Sequence, residues 1–351
     1  MSKLKKEVLF IGFTLILIFN ACSSSGITNH SFLSDGKYDP SIGDVNPAEE
    51  LNKVSQSIKL ISSIAFYKKY SFPSNANYKL KDINKNVLED FSTSVSTFNK
   101  DASGTAIIID KNENSVLLLS CAHILSFPDT LVSYYSYKSG IKSDYVESIA
   151  FKVGQSNYAS FTESGEIQII KMNEEIDAAL LLGKTKSASN IDLSIFPYKF
   201  GNSSDLDWGT FAFVFGFPLH NKSITTGIIS KPEKSNQKFF VLDAAVNRGS
   251  SGSPVIALRD GIPNFELVGI ISWVPSDKLI YIRPSYLENN QQYQTDSKYA
   301  GDLYISETEN IRYGITKAVM IDEIKKFILE NSELLIRQKF DVNKLLKITN
   351  Y

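Results

Sequence analysis

The stretch Asn247-Arg248-Gly249-Ser250-Ser251-Gly252-Ser253-Pro254 sets a serine between glycines, where the backbone must bend tightly. A serine hydroxyl attacks poorly at its free pKa, so it needs a base within hydrogen-bond reach and donors aimed at the oxyanion that forms. Gly249 and Gly252 lack a Cβ and can take positive φ, which lets backbone N–H groups converge in front of Ser251. Taken alone, the stretch is equally a turn between strands, since Phe239-Phe240-Val241-Leu242 precedes it and Val255-Ile256-Ala257-Leu258 follows. A base must be a histidine, and the chain has three: His30, His123 and His220. His30 lies in a polar N-terminal tail and His220 in a turn. His123 closes the run Ser115-Val116-Leu117-Leu118-Leu119-Ser120-Cys121-Ala122-His123, where a strand end would hold it rigidly. A carboxylate, Asp177, stands at the mouth of another apolar run, Ala178-Ala179-Leu180-Leu181-Leu182. Singly, such a histidine is more often a core residue and such an aspartate a turn residue; the order His, Asp, Ser sets the three apart.

At this point the chain resembles the chymotrypsin-fold, or trypsin-like, serine peptidases, above all the bacterial high-temperature-requirement (HtrA) proteases. Six blocks carry the resemblance in the family's order: Ser103 to Asp110, Ser120 to His123, Ile176 to Leu180, Thr226 to Ser230, Asp243 to Pro254, and Gly269 to Trp273. The resemblance implies an all-β fold of two six-stranded antiparallel Greek-key barrels, with one helix before them and one after. It implies a serine endopeptidase in which His123 is general base, Asp177 orients it and Ser251 attacks. The N–H groups of Gly249 and Ser251 would form the oxyanion hole, and Ser272 and Trp273 would pair with substrate as an edge strand. By the same resemblance Ala245 would form the base of the specificity pocket, with Val274 and Gly314 as walls. A small apolar pocket follows, favouring cleavage after Ala, Val, Ile or Thr. Neither metal nor organic cofactor is implied. Two departures stand out. Only residues 332–351 follow the catalytic region, so no PDZ domain is expected, and Ser250 stands where digestive enzymes have an aspartate that pairs with a newly cut N-terminus. The competing functions are a non-catalytic surface binding protein or adhesin on the peptidase fold, and an esterase using the same triad.

The elements that must position these residues are read from patterning. Asn46-Pro47-Ala48-Glu49-Glu50 starts a helix, with Leu51, Val54, Ile58 and Ile61 on one face. Short β-type runs follow at Ile64 to Tyr70, Thr105 to Asp110, Val116 to Leu119, Glu166 to Lys171 and Ala178 to Leu182. The first barrel is expected over about 63–190, the second over about 198–317, a C-terminal helix over 318–331 and a tail over 332–351, the peptidase domain as a whole running 46–331. Polar insertions are expected at 71–102, at 127–156, where Tyr134, Tyr135 and Tyr137 either recognise a partner or cover a barrel edge, and at 275–310.

Ahead of all this, Lys3, Lys5 and Lys6 precede the twelve-residue apolar run Val8 to Phe19, and Asn20-Ala21-Cys22 closes it. That is the layout of a secretory signal over residues 1–21, too short to span a bilayer. Cys22 resembles a bacterial lipoprotein processing site, and 22–45 reads as a flexible tether. The chain is therefore expected in the cell envelope, held to a membrane through its N-terminal lipid and acting on proteins or peptides; oligomeric state is left open. Its 43% hydrophobic and 21% charged residues suit a folded globular protein, and a net charge of −1 gives nucleic acid no purchase. Cys121, the only other cysteine, reads as a small buried side chain rather than a disulfide partner.

Overall fold

A computed structural model describes residues 34–346 apart from 44, 138–140, 160, 163–164, 186–192, 233–236, 274–275, 286–295 and 313. The signal segment, Cys22 and Val274 lie outside the described residues. Helix α1 (Ala48–Ser57) starts where expected, with Glu49 and Glu50 in its first turn and the Asn46 side chain accepting from the Ala48 N–H at 2.9 Å. Its expected apolar face divides. The backbone turns extended at Ile58, and Ile58 and Ile61 belong to strand β1 (Ile58–Ser71), where burial alternates through Ile61, Ser63, Ala65 and Tyr67. β-branched residues spaced three apart suit either element, and tertiary burial decides.

The first sheet has seven antiparallel strands, not six. In spatial order they are β4 (Thr130–Ser136), β5 (Lys142–Ala159), β1, β2 (Ser94–Lys111), β3 (Ser115–Ser120), β7 (Ala178–Lys184) and β6 (Ile167–Asn173). The sheet curls until a bridge between Tyr158 and Glu166 brings β5 back beside β6. Two of the expected insertions are partly strand: β1 and β2 run out as a paired arm as far as Ser71 and Ser94, joined by short helical turns and helix α2 (Lys85–Asp90), and β4 and β5 flank the arm. Phe72, Val146 and Ile149 form a small core there, and Tyr135 donates to the Phe72 carbonyl at 2.6 Å. Tyr134 and Tyr135 thus cover the sheet's end.

In the second sheet β12 (Pro254–Leu258), β9 (Phe211–Gly216), β10 (Ser223–Lys231), β11 (Phe239–Leu242), β16 (Thr316–Met320) and β13 (Phe265–Trp273) follow one another, and β12 pairs with β13 to close a six-stranded barrel. A seventh strand, β8 (Lys199–Phe200), adds to β13 in parallel, an exception to the expected antiparallel pairing. The fold is mostly β, a closed six-stranded barrel beside a curled seven-stranded sheet. Between β13 and β16 the expected polar loop forms a separate two-stranded ribbon, β14 (Ser276–Pro284) with β15 (Leu303–Ile311).

One large core unites the sheets. It includes Leu117, Leu119 and Leu181 from the first, Phe213, Ile256 and Leu267 from the second, and Ile321, Ile324, Phe327 and Ile328 from helix α3 (Ile321–Glu330). The stretch expected as a tail carries α4 (Ser332–Arg337) and α5 (Val342–Leu346), which bury Leu335 and Val342 in that core. The expected tether is likewise docked over its last part. The Asp39 N–H donates to the Leu258 carbonyl and the Asp39 carbonyl accepts from Phe211 N–H, both at 2.9 Å. Tyr38 reaches Glu266, a carboxylate 1% exposed, at 2.7 Å, while Arg259 stacks 4.0 Å over the Tyr38 ring. No helix among the described residues is long and apolar enough to cross a membrane.

Candidate active site

The loop that bears Ser251, residues 243–253, leaves β11 and returns into β12 in the second barrel. His123 and Asp177 come from the first sheet, just past β3 and just before β7, which pair side by side so that Ser120 faces Ala179. That register brings the two residues together. The His123 N–H donates to Asp177 Oδ1 at 2.9 Å and His123 Nδ1 lies 2.8 Å from Oδ2. On the far side of the ring, His123 Nε2 lies 2.8 Å from Ser251 Oγ. With the carboxylate on Nδ1, the imidazole proton sits on Nδ1 and leaves Nε2 to accept from the serine hydroxyl. Asp177 takes a left-handed φ of 51°, an arrangement an aspartate tolerates better than most side chains. Burial alone would push its carboxyl up, but the hydrogen bonds from His123 and Ser272 outweigh burial and hold it below its usual range.

Gly249 and Gly252 both have positive φ, 95° and 81°, as the turn requires. A Cβ on Gly249 would stand 2.2 Å from the Phe217 carbonyl oxygen, and one on Gly252 only 2.0 Å from that of Thr105. Among the described residues the N–H groups of Gly249 and Ser251 have no hydrogen-bond partner, while Ser250 donates to Asn247 and Gly252 to Ile271. Two unspent donors beside the serine suit an oxyanion.

Residues 104–270 match the family model described as a trypsin-like peptidase domain. That match spans just under half of the chain. Among curated proteins the chain is similar to serine protease HTRA1 of Xenopus tropicalis, 31% identical over 128 residues, covering 32% of this chain and 26% of that protein. Serine protease HTRA4 of Homo sapiens is 28% identical over 151 residues, 38% of this chain and 31% of its own length. The chain thus spans about a third or less of the length of these relatives. A crystal structure of the serine endoprotease from Yersinia pestis aligns over 87% of this chain and 68% of that one, with 14% identity and a TM-score of 0.38.

Within the matched region, Thr105 of β2 fastens the loop that bears Ser251 to the first sheet. Its N–H donates to the Ser251 carbonyl at 2.7 Å and its hydroxyl to the Gly249 carbonyl at 2.9 Å. Beside it Gly104 makes the close approach possible, since a Cβ there would meet Ile124 Cδ1 at 2.2 Å and the Ser251 oxygen at 2.9 Å. Ser272, expected to pair with substrate, has its hydroxyl on Asp177 Oδ2 at 2.5 Å and is 6% exposed, so its side chain belongs to the carboxylate's shell.

A cleft of about 770 Å³ opens in front of Ser251. His123, Arg248, Ser272 and Trp273 are among its walls; Ala245 and Gly314 are not, and Gly314 has open space where a Cβ would be. Two sets of contacts there are not foreseen from sequence, which places His220 only in a turn. His220 Nε2 lies 2.8 Å from Ser103 Oγ across the cleft, and Glu309 of β15 reaches in to pair with Arg248 at 3.2 Å and with the Ser276 hydroxyl. Nothing local in sequence signals these contacts: the first joins the turn after β9 to β2, and the second depends on the fold of the ribbon. Cys121 is fully buried with its thiol on the Ile271 carbonyl, and burial pushes that thiol well up. Its sulfur lies within 4.8 Å of ligand atoms of His123 and Asp177, but those two are already bonded to each other.

Proposed function

We propose that the protein is a serine endopeptidase working by acyl transfer through His123, Asp177 and Ser251. The observation that carries this reading is the unbroken chain from Asp177 Oδ2 through both ring nitrogens of His123 to Ser251 Oγ, each step 2.8 Å. His123 would remove the Ser251 proton as Oγ attacks a peptide carbonyl, then deliver it to the leaving amine. Asp177, ionised at neutral pH, stabilises the imidazolium between those steps. The N–H groups of Gly249 and Ser251 would receive the oxyanion, a role worth about 3–4 kcal/mol per donor in comparable enzymes.

By resemblance alone, Ala245 marks the base of a specificity pocket without a carboxylate, although it stands outside the walls of the cleft, and cleavage after small aliphatic residues is proposed on that ground. A cleavage profile dominated by Arg, Lys or Glu would overturn that preference. The charged, apolar and Cys22 segments at the N-terminus support a lipid-anchored protein of the bacterial envelope. The decisive test of catalysis is labelling with a fluorophosphonate, with Ser251→Ala as control. Labelling of wild type alone is the expected result; a folded wild type that stays unlabelled would favour a binding role, and one that labels yet leaves unfolded proteins uncut would favour an esterase.

A further inference from the structure

The β14–β15 ribbon carries the largest run of exposed apolar side chains near the cleft. Cross-strand partners share a face, so Ser276, Lys278, Ile280, Ile282 and Pro284 lie on one side with Glu309, Glu307, Ile305 and Leu303. The base of this face is part of the active-site cleft, through Ser276 and Glu309. The side chains confirm the facing: Ser276 bonds Glu309, and Lys278 pairs with Glu307 at 2.7 Å. Further out the same face becomes mainly apolar, with Glu307 opposite Ile280 and only apolar residues beyond it. Ile280, Ile282, Leu303 and Ile305 are 61–69% exposed. Such a patch beside a site, with a charged rim between, marks an interaction surface.

We propose that this face is an extended docking strip for the polypeptide being cut, taking an unfolded segment rich in apolar side chains. The inference rests on the endopeptidase reading of the same cleft. Its occupant follows from continuity: the strip begins at residues that wall the cleft, and β14 follows closely on Trp273, the end of the strand expected to pair with substrate. At about 3.3 Å per residue, Ile280 lies roughly 13 Å along the strand from Ser276 and Pro284 roughly 26 Å. An extended chain crossing the cleft therefore meets the strip about four to eight residues from the bond being cut. A folded substrate presents no such segment, so the strip selects unfolded chains with an apolar tract at that spacing. Among the described residues the ribbon's two strands pair only with each other, so their outer edges offer backbone groups for main-chain pairing as well.

The test compares two fluorogenic peptides sharing one cleavage sequence: one confined to the cleft, the other carrying a Val/Ile/Leu tract six residues from the cut bond, made with the tract on either side. The variant is Ile280→Asp with Ile282→Asp, both exposed positions that the fold does not bury. Wild type should cut the better long peptide with a KM about ten-fold lower than the short one, and the double variant should lose that advantage while short-peptide turnover stays unchanged. Equal KM values for long and short peptides in wild type would overturn the strip. So would a variant whose short-peptide turnover falls along with the long. Should neither peptide be cut, binding of the long peptide to Ser251→Ala, read by fluorescence anisotropy, still decides the strip apart from catalysis. A dimer that dissociates, or vesicle binding that is lost, in the double variant with no effect on peptide binding would assign the face to a second copy or a lipid surface instead.

Discussion

Asp177→Asn isolates the orienting carboxylate without changing its size. Asp177 accepts three hydrogen bonds: from His123 N–H at Oδ1, and from His123 Nδ1 and the Ser272 hydroxyl at Oδ2. An asparagine has one acceptor oxygen, so its amide nitrogen must replace one of the two oxygens. Placed at Oδ1, it faces the His123 N–H, two donors meet, and that N–H loses its acceptor. Placed at Oδ2, it suits Ser272, whose hydroxyl can turn to accept, but it forces His123 Nδ1 to become an acceptor. The second arrangement is the less costly. The ring proton then sits on Nε2, 2.8 Å from Ser251 Oγ, where it donates to the serine instead of accepting from it. Base catalysis should fall by about 10⁴-fold in kcat, or about 5.4 kcal/mol of transition-state stabilisation. The assay is kcat and kcat/KM on a peptide substrate, with a thermal melt to show that the variant is folded. Combining the change with Ser251→Ala should add almost nothing, because the residues act as a unit. A folded variant retaining activity within ten-fold of wild type would refute the tautomer argument and send the search to Glu174 or Glu175.

Gly252→Ala should destabilise by about 2–5 kcal/mol, combining a left-handed backbone with overpacking against the Thr105 oxygen, as read from denaturant midpoints; a loss under 1 kcal/mol would mean the loop shifts freely. Glu266→Ala leaves Tyr38 and Arg259 without their buried acceptor and should cost about 3–5 kcal/mol. Burial opposes ionisation of Glu266, yet bonds from Lys199 and Tyr38 hold its carboxyl below its ordinary value of 4.5. Its stabilisation is thus complete above that pH and lost as pH falls below it, so wild type and variant should converge in acid titrations of stability. Cys22→Ser should move the protein from the membrane fraction to the soluble fraction; unchanged partitioning would deny the lipid anchor.

The chemistry of the site was legible because it lies in short motifs: His123 directly after β3, Asp177 directly before β7, and Ser251 in a glycine turn. What joins them was only partly so. Thr105 stood in a quoted block, but its hold on the Gly249 and Ser251 carbonyls depends on two sheets meeting, which no local pattern encodes. Ser272 is expected to pair with substrate through its backbone, and the bond of its hydroxyl to Asp177 is a separate contact that only the meeting of the two sheets creates. The helix end at Ser57 was overrun because Ile58 and Ile61 fit a helical face as well as a strand. The ribbon was read as loop for a physical reason: Leu279-Ile280-Tyr281-Ile282 is exposed on both faces and lacks the alternation that marks a half-buried strand. Residues 332–346 were read as a tail because their helices are five and six residues long, too short for periodicity to speak.

The seating of residues 34–43 gives the protein a direction of mechanical loading. A pull on the chain ahead of residue 34 meets Gly36 first, whose N–H holds Asp260 at 2.7 Å, and then Tyr38 on Glu266. From Asp39 the tension passes into the backbone at Leu258 of β12 and Phe211 of β9. These strands belong to the closed barrel, where every strand has a neighbour on each side and no edge can peel. Force delivered from a surface is therefore grounded in the serine-bearing barrel, upstream of α1. The histidine and aspartate, carried on the other sheet, hang from it unstressed, so a molecule dragged along by its N-terminal end keeps its reacting groups in register.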